Sequence, residues 1–274
     1  MPHRTLQISR RNSTYQVLES LIGNRQKRHR SCSFLVEGVQ PINTALERGW
    51  AVDSVLYERG APLSRWARNV ILRADADRYE LSPDLFRALS RKNDPPEIIA
   101  VLRMPPDSLD RIPVRRDLLA AVMDRPSNPG NLGTLIRSCD AFGLDGLIVT
   151  GHGVDMYDPA TITASRGSLF AIPVVHAGSH TEVGQWVETV RQRLGTCHIV
   201  GADEAADLNV SDYPFASPTV LIFGNEAHGL SHAYKQLCDA RIRIPIGGSA
   251  TSLNVAVAGS IILYEARQSL IAHR

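Results

Sequence analysis

The sequence predicts an α/β protein whose second half is a largely parallel sheet flanked by helices, preceded by a smaller α/β domain. Three observations carry that prediction. Between residues 118 and 270, short apolar runs alternate with longer segments of helical periodicity, the pattern of successive strand–helix units. Glycine and asparagine gather just after the runs that end at Asp124, Phe223 and Pro245, where open α/β sheets keep their ligands. Residues 103–116 hold Pro105, Pro106 and Pro113 among charges, which marks a linker. The boundaries that follow are a front domain over 1–105, a linker over 106–117 and a back domain over 118–274.

Size and composition agree with a globular chain of two domains: 274 residues, 43% apolar and 21% charged. No apolar run reaches the ~18 residues of a membrane span, and the opening Met-Pro-His-Arg-Thr leads into no signal-peptide core. A cytoplasmic protein with no membrane partner is expected. Cys32, Cys139, Cys197 and Cys238 are far apart and read as small buried hydrophobes rather than a zinc site or a disulfide framework. Net charge is +2, but residues 1–117 hold 20 Lys+Arg against 14 Asp+Glu, and residues 118–274 hold 10 against 14. Arg25, Lys27, Arg28, His29 and Arg30 are nearly consecutive. Such a front half fits nucleic-acid binding; a solvated basic tail is the alternative.

In chain order, Val17, Leu18, Leu21 and Ile22 form a helical stripe over 13–23. A buried strand is read over 34–38 and a helix over 39–48, then a strand over 52–57 and a helix over 64–69. Val70-Ile71-Leu72 and 98–102 read as further strands, giving a small three-layer α/β domain. The back domain offers strands at 118–124, 146–150, 172–175, 197–201, 219–223 and 240–245. Its helices are expected at 132–142, 159–166, 182–194, 231–237 and 253–270. The last is apolar on nearly all sides, which predicts burial in its domain or at a subunit interface.

The run from Asp124 to Gly143 organises the chain. Leu132, Leu135, Ile136 and Cys139 share one helix face. Arg137 lies off that stripe, one turn above Gly133, so its guanidinium is placed to reach the Asn-Gly loop at the strand mouth. A surface arginine on an ordinary helix remains the alternative. Phe223 runs into Gly224-Asn225-Glu226-Ala227-His228-Gly229, and Pro245 into Ile246-Gly247-Gly248-Ser249. Small residues there let a ligand approach the backbone. Neither G-x-G-x-x-G after an early strand nor G-x-x-x-x-G-K-[ST] occurs, and no acid pair has metal-ligand spacing. Glu226 and His228 read either as acid/base machinery or as turn-stabilising groups; His152, His176, His180 and His198 read as structural.

Three motifs together resemble those of the SpoU branch of the SPOUT methyltransferases: N-L-G-T-L-I-R (131–137), L-I-F-G-N-E-A-H-G-L (221–230) and R-I-P-I…S-L-N-V-A-V-A (243–258). Ser165-Arg166-Gly167 also fits, and the resemblance covers about 117–270. Within that branch the chain looks most like the thiostrepton/nosiheptide-resistance methyltransferases of actinomycetes, which carry a small RNA-binding domain resembling a ribosomal protein in front of the catalytic one. The resemblance implies a deep C-terminal trefoil knot, which sequence physics alone would not suggest. It implies a homodimer with a shared active site. It also implies S-adenosylmethionine held bent in the knot by backbone at Gly201, Gly224, Ile244 and Leu253, with no metal.

The implied reaction is methyl transfer to a ribose 2′-oxygen, which needs a base or a strong electrostatic helper. The resemblance assigns that base to Arg137. A guanidinium is permanently charged, and deprotonating it at neutral pH costs about 1.4 kcal/mol per pKa unit, roughly 7 kcal/mol. A clamp that holds phosphate and stabilises the developing alkoxide is the cheaper role. Asn131 would orient Arg137 or the ribose, Glu226 would fix the arginine or the loop, and Ser252 and Asn254 would shape the pocket. Arg166, from the partner subunit, and Arg25, Lys27, Arg28 and Arg30 would hold RNA phosphate. The expected substrate is 23S rRNA, at an adenosine of the GTPase-associated hairpin, with thiopeptide resistance as the consequence. A relative acting on a guanosine of tRNA or other rRNA, or a non-catalytic RNA-binding protein, are the alternatives.

Overall fold

Most helices begin where a polar side chain can accept their orphan N–H groups. The computed structural model describes residues 4–90, 92 and 94–272, so the opening Met1–His3 and the carboxyl end of the expected back domain lie outside the described residues. The chain forms two units: one holds the chain up to Pro106 together with Tyr157–Ala171, the other Asp107–Met156 and Ile172–Arg274.

The first unit runs β1 (Thr5–Ile8), α1 (Ser13–Gly23), α2 (Arg25–Ser31), β2 (Ser33–Glu37), α3 (Val39–Glu47), β3 (Val52–Glu58), α4 (Arg65–Arg73), β4 (Asp77–Leu81), α5 (Pro83–Leu89) and β5 (Ile99–Arg103). Asn12 caps Tyr15 at the start of α1, Asn24 caps Lys27 in α2, and Ser64 caps Ala67 in α4. The sheet order is β1-β4-β3-β5-β2, parallel at β1–β4 and β3–β4 and antiparallel around β5. Tyr15, Leu18 and Leu21 of α1 pack on Leu35, Leu56, Ile99 and Val101 of the sheet.

Three expectations fail here. Val70-Ile71-Leu72 is not a strand but the last turns of α4, because Ala67, Val70 and Ile71 share the buried helical face while Leu72 points to solvent. Arg28 is not a phosphate ligand. It is 2% exposed, donates to the carbonyls of Leu21 and Ile22 at 2.9 and 3.2 Å, and pairs with Asp158. It satisfies orphan carbonyls at the end of α1, a structural use of a cation. Cys32 is likewise exposed rather than buried; Cys139 and Cys197 are buried and Cys238 is intermediate.

The segment Tyr157–Ala171 includes α7 (Pro159–Ser165). It joins the first unit through an aromatic cluster in which Phe34 meets Tyr157 and Phe170, and the Trp50 indole donates to the Phe170 carbonyl at 3.1 Å. The expected division had placed this segment in the back domain. Contacts between residues more than a hundred positions apart decide its place, and no local pattern reports them.

The second unit contains β6 (Leu119–Asp124), α6 (Pro129–Ala141), β7 (Gly146–Thr150), β8 (Val174–Ala177), α8 (His180–Leu194), β9 (His198–Ala202), β10 (Leu208–Asn209), β11 (Thr219–Phe223), α9 (His232–Leu237), β12 (Ala240–Arg243) and α10 (Val255–Ala272). All seven strands are parallel, in the order β10-β12-β9-β11-β6-β7-β8. Fully buried β6, β7 and β11 are continuous apolar runs, as strands covered on both faces must be. Val183, Trp186, Val187 and Val190 of α8 cover one face.

Helix α10 packs on α6, with Gly259 so near Leu135 that a Cβ there would lie 2.6 Å from Leu135 Cδ1. Ser138 and Ser260 share a 2.7 Å hydrogen bond, and the Arg267 guanidinium donates to the carbonyls of Phe142 and Gly143. By length and composition alone, α10 is long and apolar enough to cross a membrane; here its inner face is seated on α6. Its burial is one-sided rather than all-round: Ala256, Gly259, Ile262, Leu263, Ala266 and Leu270 are covered, while Val257, Ile261, Tyr264 and Ile271 are exposed.

Candidate active site

Four loops leave the carboxyl ends of neighbouring strands β12, β9, β11 and β6, the position at which parallel sheets bind ligands. After β6 comes Arg125–Asn131. Asn128 Oδ1 accepts from the N–H groups of Gly130 and Asn131 at 2.7 and 3.2 Å, which starts α6 with Pro129 in its first turn. After β11 comes Gly224-Asn225-Glu226-Ala227-His228-Gly229, closed by reciprocal backbone hydrogen bonds between Asn225 and Gly229 at 3.0 and 2.9 Å. Gly224 has no alternative there, since a Cβ would lie 2.1 Å from the Gly229 carbonyl carbon.

Glu226 joins these two loops. Its carboxylate accepts from Ser127 N and Oγ at 2.9 and 2.8 Å, from Asn128 N at 3.1 Å and from Asn131 Nδ2 at 3.2 Å. Partial burial pushes this carboxyl upward, but the hydrogen bonds outweigh it and hold Glu226 below the usual carboxylate range. Asn131 Oδ1 in turn accepts from Asn254 Nδ2 at 2.9 Å, and Asn254 Oδ1 caps α10 through Ala256 and Val257. A continuous chain of polar groups therefore ties the β11 loop to the first turns of α6 and α10. Glu226 fixes the loop, not Arg137. Arg137 is exposed on α6 and makes no hydrogen bond or ion pair with the described residues.

Beside this chain lies a cavity of about 370 Å³, within the usual size range for a small-molecule site. Gly224 to Leu230, Ile244, Ile246, Ser252 and Leu253 wall it on two sides, with Ile242, Val255 and Ile262 supplying apolar surface. Ala202–Ala205, at the carboxyl end of β9, line it as well. Asp203 there is buried; burial works to raise its carboxyl, but Lys235 and Arg241, each at 2.9 Å, prevail and lower it. Of the four positions expected to hold a cofactor, Gly224, Ile244 and Leu253 line the cavity. Gly201 is not among the lining residues; a Cβ there would lie 2.7 Å from both Cys238 Sγ and Leu230 Cδ1, so the packing around it requires glycine.

Asn131, Glu226 and Asn254 are thus brought together, with Ser252 on the adjoining cavity wall. Arg25, Lys27 and Arg30 are exposed on α2, and Arg166 is exposed in a left-handed conformation (φ 54°) at the end of α7, all in the first unit. Sequence reasoning assigned no role to Asn225. Its Nδ2 donates to the Arg125 carbonyl at 2.7 Å while its Oδ1 collects the N–H groups of Ala227 and His228. An asparagine after a strand-ending glycine was the available signal.

A parallel-sheet domain with a cavity at its strand ends and an Asn–Glu–Asn chain beside it defines a class, and residues 118–264 match the SpoU rRNA Methylase family. The chain belongs to that family. Residues 12–100 match the SpoU L30e-like domain. Over 97% of its length the chain is 48% identical to a 23S rRNA (uridine(2479)-2′-O)-methyltransferase of Streptomyces viridochromogenes, covering 93% of that protein. It is 31% identical to the 23S rRNA (guanosine(2553)-2′-O)-methyltransferase RlmP of Bacillus subtilis, over 89% of this chain and 92% of that one. Among solved structures, it is similar to the SpoU methyltransferase AviRb of S. viridochromogenes in complex with the cofactor AdoMet. That similarity has a TM-score of 0.92 at 48% identity, covering 96% of this chain and 100% of the other. An AdoMet-bound rRNA methyltransferase of Sinorhizobium meliloti is similar with a TM-score of 0.84 at 28% identity, over 96% and 98% of the two chains.

Proposed function

We propose that the protein is an S-adenosylmethionine-dependent 2′-O-methyltransferase of 23S rRNA, acting in the cytoplasm as a homodimer with a knotted catalytic domain. The observation that carries this reading is the union of the motif residues Asn131, Glu226 and Asn254 into one hydrogen-bonded chain beside the cavity. The two methyltransferases named above both modify a ribose 2′-oxygen of 23S rRNA.

The cavity suits such a cofactor. Ile242, Val255 and Ile262 offer apolar surface for a flat base, the Gly224–Leu230 backbone offers polar groups, and Glu204 offers an anion toward a cation. When bound, S-adenosylmethionine supplies an electrophilic methyl group on a sulfonium. The chain's residues do the rest. Gly224, Ile244 and Leu253 hold the cofactor by backbone, and Glu226 keeps the 127–131 loop in place so that Asn131 orients the ribose. Arg137, unpaired within the described chain, is the electrostatic clamp for phosphate and the developing alkoxide. The first unit supplies RNA affinity through Arg25, Lys27 and Arg30, and Arg166 of a second copy completes the substrate site. The exposed apolar side of α10 is the face on which that copy packs.

The base is a finer question. An adenosine of the GTPase-associated hairpin, with resistance to thiopeptides, is the reading drawn from motif resemblance. The 48% relative names a uridine, which favours uridine; both readings share the same ribose chemistry. Incubating the protein with S-adenosylmethionine and protein-free 23S rRNA, then mapping 2′-O-methyl groups, tests all of this. One new methylated ribose is expected, and none on 23S rRNA would overturn the reading.

A further inference from the structure

The reaction needs a group to take the ribose proton, and the permanently charged Arg137 is poorly suited to it. His228 lines the cavity from the tip of the β11 loop, two residues beyond Glu226. Its Nδ1 lies 3.0 Å from Asn225 Oδ1. The orientation of that amide is fixed independently: Asn225 Nδ2 must donate to the Arg125 carbonyl at 2.7 Å, and Oδ1 must accept from the backbone N–H groups of Ala227 and His228 at 2.9 and 3.1 Å. An oxygen committed to accepting requires the proton on His228 Nδ1. In the neutral ring, Nε2 then carries the lone pair. The ring is exposed, and no described residue hydrogen-bonds to Nε2.

We propose that His228 is a catalytic residue, the general base for the ribose 2′-hydroxyl, with Asn225 as the positioning residue that sets its tautomer; this rests on the methyltransferase reading above. As the 2′-oxygen forms its bond to the methyl carbon, the carbon–sulfur bond breaks and sulfur keeps the electron pair. The 2′-proton passes to His228 Nε2 and from there to water. Asn225 stands to His228 as an orienting group stands to a base in hydrolytic triads, donor and acceptor fixed by a third partner. Arg137 is then left with the role its charge suits.

The test uses His228→Asn, whose amide can still donate to Asn225 but which lacks the ring Nε2, and His228→Gln as a second variant. Nitrogen-15 spectra of imidazole-labelled wild type, with His228 assigned by its loss in the variants, should show the Nδ1–H tautomer at neutral pH. In single-turnover methylation of 23S rRNA, both variants should fall about 10²–10⁴-fold, the usual contribution of a general base. Affinities for S-adenosylmethionine and RNA should stay within about twofold of wild type, whereas a residue that served binding alone would weaken them. The Nε2–H tautomer, a variant rate near wild type, or a rate loss matched by a loss of cofactor affinity would each overturn the proposal. An inactive wild type would instead defeat the methyltransferase reading itself.

Discussion

The Asn254 side-chain amide donates to the side-chain carbonyl of Asn131 at 2.9 Å, joining two residues 123 positions apart. The same Asn254 caps α10 with its own carbonyl oxygen. Its two functions are separable. Asn254→Asp keeps an acceptor for the cap but replaces the donor facing Asn131 with an acceptor, so thermal stability should hold while methylation falls roughly tenfold, the scale of one hydrogen bond. Asn254→Ala should show the same loss of activity plus about 1 kcal/mol of stability from the missing cap. Melting temperature and kcat measured side by side check this; equal melting temperatures for the two variants would contradict it.

Glu226 gives a pH signature. Its carboxyl is held below the ordinary value by hydrogen bonds from Ser127 and Asn131 that overcome partial burial. A depressed carboxyl contributes stability that is present above its unfolded pKa of about 4.3 and is lost as pH falls through the lower folded value. The stability difference between wild type and Glu226→Gln should therefore be largest near neutrality and shrink on acidification below about pH 4.3. Denaturant titrations at several pH values would show it; a difference that grows toward acid would mean the sign is wrong.

Gly224 admits no side chain, because the Gly229 backbone occupies the place of a Cβ. Gly224→Ala must open the Asn225–Gly229 closure, at a cost of about 1–3 kcal/mol or more for overpacking. Calorimetry should find S-adenosylmethionine binding lost or severely weakened. Gly229→Ala provides the contrast: its φ of 63° carries a backbone cost but its Cβ would meet open space, so a milder loss is expected.

Arg28 distinguishes a structural cation from an RNA-binding one. Removing it strands the carbonyls of Leu21 and Ile22 and takes away the cation that faces Asp158. Arg28→Ala should cost about 1–3 kcal/mol, the scale for leaving buried acceptors unsatisfied, and so lower the melting temperature clearly. Arg30→Ala on the exposed side should leave stability within about 0.5 kcal/mol and reduce the salt dependence of RNA binding. The reverse pattern would restore Arg28 as a phosphate ligand.

The outer side of α10 carries Val257, Ile261 and Tyr264 at spacings of four and three, an apolar face left exposed among the described residues apart from the edge contact of Tyr264 with Phe142. Sedimentation should show a dimer for wild type and a monomer for the double variant Val257→Glu, Ile261→Glu. A dimer that survives both charges would place the interface elsewhere.

The second unit was more legible than the first for a physical reason. Strands β6, β7 and β11 are buried on both faces and stand in the sequence as unbroken apolar runs, each followed by polar or glycine-bearing turn residues. By contrast, β4 reads Asp-Arg-Tyr-Glu-Leu and is only partly buried. Edge strand β1 exposes three of its four residues, so neither carries a clear alternation. Asn131, Glu226 and Asn254 were legible as motif members, but their mutual hydrogen bonds were not. Asn225, in the middle of a motif, had no assigned role until its two amide ends found partners.

The sequence by itself determined where most helices and buried strands begin and end, because caps, periodicity and apolar runs act over a few neighbouring residues. It also determined which loops could admit a ligand, since glycine there is a local requirement. Only the tertiary structure decided that Arg28 is a buried staple, that Gly201 serves packing, that Tyr157–Ala171 belongs with the first unit, and that His228 turns its Nδ1 to Asn225. Each of those outcomes depends on groups distant in sequence or on side-chain orientation. A charged or small residue looks the same in the sequence whether its partner is water, a carbonyl or a ring.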